Sequence, residues 1–236
     1  MDSKAKIESF VAQRKSDFLA RAGDGVLLPG TMPFVTITSQ SGAGGHRFAK
    51  SLYELIERNK SHGEVLSGWR IFDKDMCQEL LEREHLADSL RDLLDEDYHS
   101  QIDEFVMGIL GDQGMQNVAY ARLSRLLRTV ASVGKVIILG YGSCMATVEL
   151  TSGLHIRLVA PLSIRGRRMA STLDVDEAQA MKQIRKRDKA QRKLLKIHYR
   201  ANSADPEHYD LVCNTGRMSP DTAAEILFTL LQKKLG

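Results

Sequence analysis

A run of glycines at a strand-to-helix junction constrains this chain more than any other feature. Phe34-Val-Thr-Ile-Thr38 is a short apolar strand pattern, and Phe48, Leu52, Leu55 and Ile56 recur downstream at helical spacing. Between them lies Ser39-Gln-Ser-Gly-Ala-Gly-Gly-His-Arg47. Such a turn lets successive backbone N–H groups point into one concavity, and the positive end of the following helix dipole adds to that field, so phosphate is the natural guest. Against the pattern G-x-x-x-x-G-K-[ST], Ser39 stands at the first glycine, Gly44 at the last, Gly45 at the lysine and His46 at the hydroxyl residue. The cradle is present, but two side chains that usually act with it are not.

The rest of the chain repeats the alternation. Residues 4–20 read as a helix with Ile7, Val11, Phe18 and Leu19 as a partial stripe, and Gly23-Asp-Gly and Leu28-Pro-Gly break it. Strands are expected at Trp69–Phe72, Val136–Leu139, Leu154–Val159 and Tyr209–Cys213. Asp73-Lys-Asp75 opens an acidic helical region running to about Leu110, and Asn117–Val133 is a further helix. The last helix has Ser219 as N-cap, Pro220 at the first helical position, and a packing stripe of Ala223, Ile226, Leu227, Leu230 and Leu231. Strands alternating with helices imply a parallel sheet covered on both faces, with ligands beyond the carboxyl ends of its strands. The glycine turn, Asp73-Lys74 and Gly140-Tyr-Gly142 all fall at such ends.

The balance of charge is uneven. The whole chain is +3, yet residues 163–200 carry twelve Lys and Arg against four Asp and Glu, which leaves the remainder acidic. Two helices are expected there, Leu162–Ala170 and Asp174–His198, with Asp174 and Glu177 spaced as a capping box. Along the second, Met181, Ile184, Asp188, Gln191 and Leu195 share one seam. A carboxylate on that seam needs a cationic partner, which Arg165 or Arg168 could supply. The cations either solvate an exposed helix or, as a group, act as an arm that neutralises a moving phosphoryl group. Tyr199 is the only aromatic in the segment, so platforms for stacked bases are poorly supplied and nucleic acid is the weaker expectation.

These residues resemble the cytidylate kinase-like proteins, relatives of bacterial cytidylate kinase among the P-loop nucleoside monophosphate kinases. The resemblance runs from about Phe34 to Leu231. It rests on Ile37–His46, Ile71-Phe-Asp-Lys74, Leu154–Leu162 with Arg165 and Arg168, and Asp205–Thr215. It implies an α/β fold in three layers, with a five-stranded parallel sheet, a helical insert for the nucleoside monophosphate and a helical lid. It also implies transfer of the γ-phosphoryl of ATP, with Mg2+, to an acceptor of the CMP or dCMP kind. In this scheme residues 1–30 are an N-terminal helical extension and 31–236 the kinase-like domain, with the insert inside 75–133 and the basic lid at 161–200. Carried across, Ser39, Ser41, Gly42, Ala43, Gly44, Gly45, His46 and Arg47 surround the ATP phosphates, and Asn214 and Thr215 lie near the adenine. Arg165, Arg168 and Arg187 reach phosphate oxygens, Asp188 orients them, and Asp73, Lys74 and Tyr141 face the acceptor. The chain departs from related enzymes at Gly45, where they have lysine, and at Tyr141-Gly142, where cytidylate kinases have Arg-Asp. A nucleotide-binding sensor without transfer is therefore the alternative reading.

Several features are expected to carry no chemistry. Cys77, Cys144 and Cys213 lack metal-ligand spacing and read as buried free thiols of a reducing cytoplasm. His62, His85, His99, His155, His198 and His208 are scattered without ligand spacing, so no metal-ligating residue is assigned. Met107, Met115, Met145, Met169 and Met181 read as core filler. No apolar run approaches the roughly 20 residues of a membrane span, and the polar start does not read as a signal peptide.

Overall fold

A computed structural model describes residues 3–21, 32–62, 64–94, 102–104, 106 and 115–235. Five strands form one parallel sheet: β1 (Phe34–Ser39), β2 (Arg70–Phe72), β3 (Val136–Leu139), β4 (Gly153–Val159) and β5 (Leu211–Asn214), in the order β2-β3-β1-β4-β5. The three-layer α/β architecture is as expected. Side chains alternate across β1, and this period of two separates two cores. Val35 and Ile37 face α2 (Gly45–Arg58) and the final helix, and Phe48, Leu52, Ile56, Leu227 and Leu231 fill that layer. Phe34 faces the opposite layer, with Phe72, Met76, Leu80, Leu127 and Val130.

That second layer is built by α1 (Ser3–Arg21), α3 (Lys74–Glu82), α4 (Glu84–Arg91) and α5 (Met115–Val133). α1 is docked against it: Ile7, Phe10 and Val11 are buried, and Phe10 meets Phe72 edge-on at 5.1 Å. Arg14 and Lys135, both buried, share Asp17 at 2.5 and 3.8 Å. The expected acidic helix is interrupted where Arg83 leaves helical geometry (φ −114°, ψ 77°). Its continuation between 95 and 114 lies largely outside the described residues, as does Met107.

Beyond β3 a single turn, α6 (Ser143–Ala146), leads to β4. The basic segment then forms a hairpin of α7 (Leu162–Leu173) and α8 (Glu177–Tyr199). The cap of α8 falls elsewhere than expected. Asp174 ends α7 in the left-handed region (φ 53°, ψ 50°), and Asp176 caps α8 by accepting from the Gln179 N–H at 2.8 Å. The turn between the helices needs a residue at positive φ, and the next aspartate is then free to cap. The last helix, α9 (Pro220–Leu235), starts where Ser219 caps it. Its buried stripe is Ala223, Ala224, Leu227, Phe228 and Leu231, whereas Ile226 and Leu230 face outward, 40% and 37% exposed. All three cysteines are buried free thiols. Among the described residues no helix is long and apolar enough to cross a membrane.

Candidate active site

The turn after β1 is pinned from three sides. Gln40 donates its N–H to Leu158 O at 3.0 Å, accepts the Ala160 N–H on its side-chain oxygen at 3.1 Å, and accepts the Ala43 N–H at 2.9 Å. Gly42 and Gly44 sit at φ +81° and +89°, where side chains are strained. Space excludes a side chain as well: a Cβ on Gly42 would meet Arg165 O at 2.8 Å, and one on Gly44 would meet Pro220 Cγ at 2.7 Å. Gly44 offers no side chain to cap α2, so the first-turn amides open at the carboxyl end of the sheet.

The lid hairpin is bolted to this turn. Arg165 is buried and donates from Nε to Ala160 O at 2.9 Å, and from Nη1 to Ser41 O at 3.0 Å and Asp188 Oδ2 at 2.7 Å. Asp188 Oδ1 accepts the Ser41 N–H at 2.9 Å. Arg168 donates to Thr215 Oγ1 at 3.1 Å and Thr215 O at 2.7 Å, and the Thr215 hydroxyl donates to Ala43 O at 2.8 Å. Loop, both lid helices and the residue after β5 are thus one hydrogen-bonded unit.

In front of this unit lies an open cleft of about 1140 Å³. Its floor is Ser39, Ser41, Gly42, Gly44 and Gly45, with His46 and Arg47 beside them. Lys74 stands at the β2 end with Gly140 and Tyr141 from the β3 end, and the lid contributes Arg167, Arg168, Met169, Arg187 and Gln191. Tyr141 is held at φ +59°, a conformation L side chains adopt rarely and often at functional positions. Burial, then the nearby Cys77, Asp75 and Asp73, push its hydroxyl pKa up, so it stays a neutral donor. Arg47 is drawn to the edge, where it and Ser51 donate to Asp221. The hydrogen bond to Asp221 raises the Arg47 pKa, and those from Arg47 and Ser51 lower that of Asp221.

Other residues singled out from the sequence stand behind the cleft. Ala43 and Thr215 are buried, and Asn214 uses Oδ1 to accept the Gly216 N–H at 2.9 Å. Asp73 caps α3, accepting the Asp75 and Met76 N–H groups at 3.1 Å each. Arg165 and Asp188 pair with each other behind the loop. Sequence reasoning missed Arg167, Met169 and Gln191. Gln191 was on the seam, but nothing in the run Arg165-Gly-Arg-Arg168 distinguishes the arginine that turns into the backbone from its neighbours.

The lining suits a polyphosphate: bare amides at a helix start, glycines that no Cβ could replace, and several cations. It does not make a metal site by itself. Among the described residues no Asp or Glu lines the cleft, its hydroxyls come from Ser39, Ser41, Tyr141, Ser171 and Thr172, and no group of three or more His, Cys, Asp and Glu is placed to hold an ion.

Comparison with known proteins places this geometry in context. Cytidylate kinase of Sulfolobus acidocaldarius is 35% identical over 83 residues, 35% of this chain and 46% of that protein. Cytidylate kinase of Methanopyrus kandleri is 34% identical over 113 residues, 44% of this chain and 58% of that protein. The chain thus matches about half the length of these relatives. A solved structure of an uncharacterized protein from Eubacterium ventriosum shares the fold, with a TM-score of 0.66 at 18% identity, over 86% of this chain and 99% of that one. The model of the cytidylate kinase-like family matches residues 34–217, from β1 through the loop after β5, and the chain belongs to that family.

Proposed function

We propose that this chain transfers the γ-phosphoryl group of ATP to a nucleoside monophosphate of the CMP or dCMP kind. The observation that carries this reading is the charge geometry of the cleft: bare amides on its floor, Lys74 on one side, Arg167, Arg168 and Arg187 on the lid side, and no carboxylate lining it among the described residues. Phosphoryl transfer asks for little covalent help from a protein. It needs the reacting oxygens in line and the charge on the moving group neutralised in a water-poor space. The α2 amides would hold the donor's phosphates, Arg187 and Arg167 would cover the transferred group, and Lys74 with Tyr141 would fix the acceptor. Magnesium carried on the nucleotide's phosphates would add positive charge, and the Ser39 and Ser41 hydroxyls of the glycine turn are side-chain oxygens that could meet it.

Membership of the cytidylate kinase-like family supports the same reading. The test is release of ADP from Mg-ATP in the presence of each ribo- and deoxynucleoside monophosphate in turn. Turnover with a cytidine acceptor above the others is expected, and no turnover with any acceptor refutes the proposal.

One observation favours a second reading, nucleotide sensing without transfer. A Cβ at Gly45 would meet Ser39 Oγ at 2.7 Å, so the position held by lysine in the common motif cannot carry one unless Ser39 moves. Under this reading, ATP raises thermal stability without turnover. Ligand at 100 times its dissociation constant contributes about 2.7 kcal/mol.

A further inference from the structure

Beside the glycine turn lies a second cavity of about 250 Å³, which shares Ser39 and Gln191 with the cleft but is otherwise lined by different residues. We propose that it binds a small phosphorylated anion, at a site separate from the cleft. Arg157 on β4 is its floor, and Arg185 and Arg192, one side of α8, are its roof. Arg157 is only 9% exposed, and among the described residues no carboxylate lies within ion-pair distance of it. Its Nη1 donates to the Tyr209 hydroxyl at 3.3 Å, and its guanidinium lies 5.6 Å from the centre of the Tyr209 ring. Among the described residues no other hydrogen bond engages its remaining N–H groups, and the residue lines the cavity. A cation so deeply buried is costly without a counter-charge.

Among the described residues that line it, the one acid is Asp188, and its two oxygens are committed to Arg165 and the Ser41 N–H. The cavity is therefore cationic on its floor and roof. Thr38, Ser39 and Ser203 add hydroxyls. Its volume equals about eight waters at ~30 Å³ each, room for a phosphate group with a small substituent but not for a nucleotide. Paired guanidinium forks favour phosphate because its oxygens accept two parallel hydrogen bonds.

The experiment follows the Arg157 side-chain Nε–Hε resonance of the 15N-labelled full-length protein while inorganic phosphate, and separately ribose 5-phosphate, is added at constant ionic strength. A saturable shift of Arg157 is expected with phosphate. Arg192→Gln, an exposed substitution that leaves the buried floor intact, should weaken it about 10- to 100-fold. Tighter binding of ribose 5-phosphate identifies an organic phosphomonoester as the ligand, and equal binding identifies inorganic phosphate. A shift reproduced by chloride, a shift unaffected by Arg192→Gln, or none up to tens of millimolar phosphate overturns the proposal. Arg187→Gln serves as the cleft control and should leave the Arg157 titration unchanged. If Arg187→Gln abolishes it, the anion sits in the cleft and the proposal fails.

Discussion

Asp188→Ala tests how the α7–α8 hairpin is fastened to the glycine turn. The carboxylate serves two partners at once, the Arg165 guanidinium at 2.7 Å and the Ser41 N–H at 2.9 Å. Arg165 is 7% exposed, and its remaining contacts there are carbonyls, which cannot balance its charge. Breaking a buried pair by removing one member costs about 3–5 kcal/mol, because the other is left as an uncompensated buried charge. The Asp188 side chain is 17% exposed, so water offsets part of the loss and the lower end, about 3 kcal/mol, applies. For a chain of this size that is a fall of roughly 6–12 °C in Tm. Asp188→Asn keeps an acceptor for Ser41 while losing the charge and should fall between wild type and alanine. Combining Asp188→Ala with Arg165→Met removes the stranded cation, so the double variant should lose about 2 kcal/mol less than the two singles added together. Urea denaturation of wild type, the three single variants and the double variant measures this. An Asp188→Ala variant within about 0.5 kcal/mol of wild type, or strictly additive singles, would show that the latch contributes nothing.

Three further outcomes follow from other parts of the structure. Gly44→Ala places a Cβ at φ +89° and 2.7 Å from Pro220, so it should cost about 1–3 kcal/mol in thermal denaturation, and a neutral result would mean the turn is loose. Arg187→Ala should lower turnover more than ATP affinity, and equal losses in a comparison of kcat with the dissociation constant would mark it as a ground-state contact only. Burial holds the His155 pKa below its ordinary 6.5, Lys234 lowers it further and Asp210 pulls the other way. The unfolded chain therefore binds a proton that the folded one refuses, and stability should fall as pH drops below about 6.5. His155→Gln should flatten that part of the curve, and an unchanged slope contradicts the assignment.

The strand–turn–helix at 34–58 was legible because hydrophobic period and glycine placement agree there, and Ser219-Pro220 marked the start of α9 for the same reason. The partner of Asp188 was also within reach, since a carboxylate on a packed seam must find a cation. What the residues alone could not show is where each arginine of α7 points. Arg165 and Arg168 lie one helical turn apart, yet the first is consumed by Ala160 O and Asp188 while the second reaches Thr215. That division depends on the β4 and β5 ends brought beside α7 by the sheet. Asp174 misled for a related reason: its spacing to Glu177 fits a cap, but the hairpin turn needed it at positive φ. In α9, Ile226 and Leu230 satisfied the helical period, while the sheet takes the adjacent face, with Ala224 and Phe228. Asn214 and Asp73 were placed at the right strand ends, but their side chains serve local turns and caps.

The central claim is that the amides of the glycine turn and the lid cations grip one polyphosphate. Titrating ATP into the 15N-labelled protein tests it residue by residue. The largest and saturable shifts should fall on the backbone amides of Gly42, Gly44, Gly45 and His46 and on the Arg187 side chain. Shifts concentrated elsewhere, or none at millimolar ATP, would contradict it.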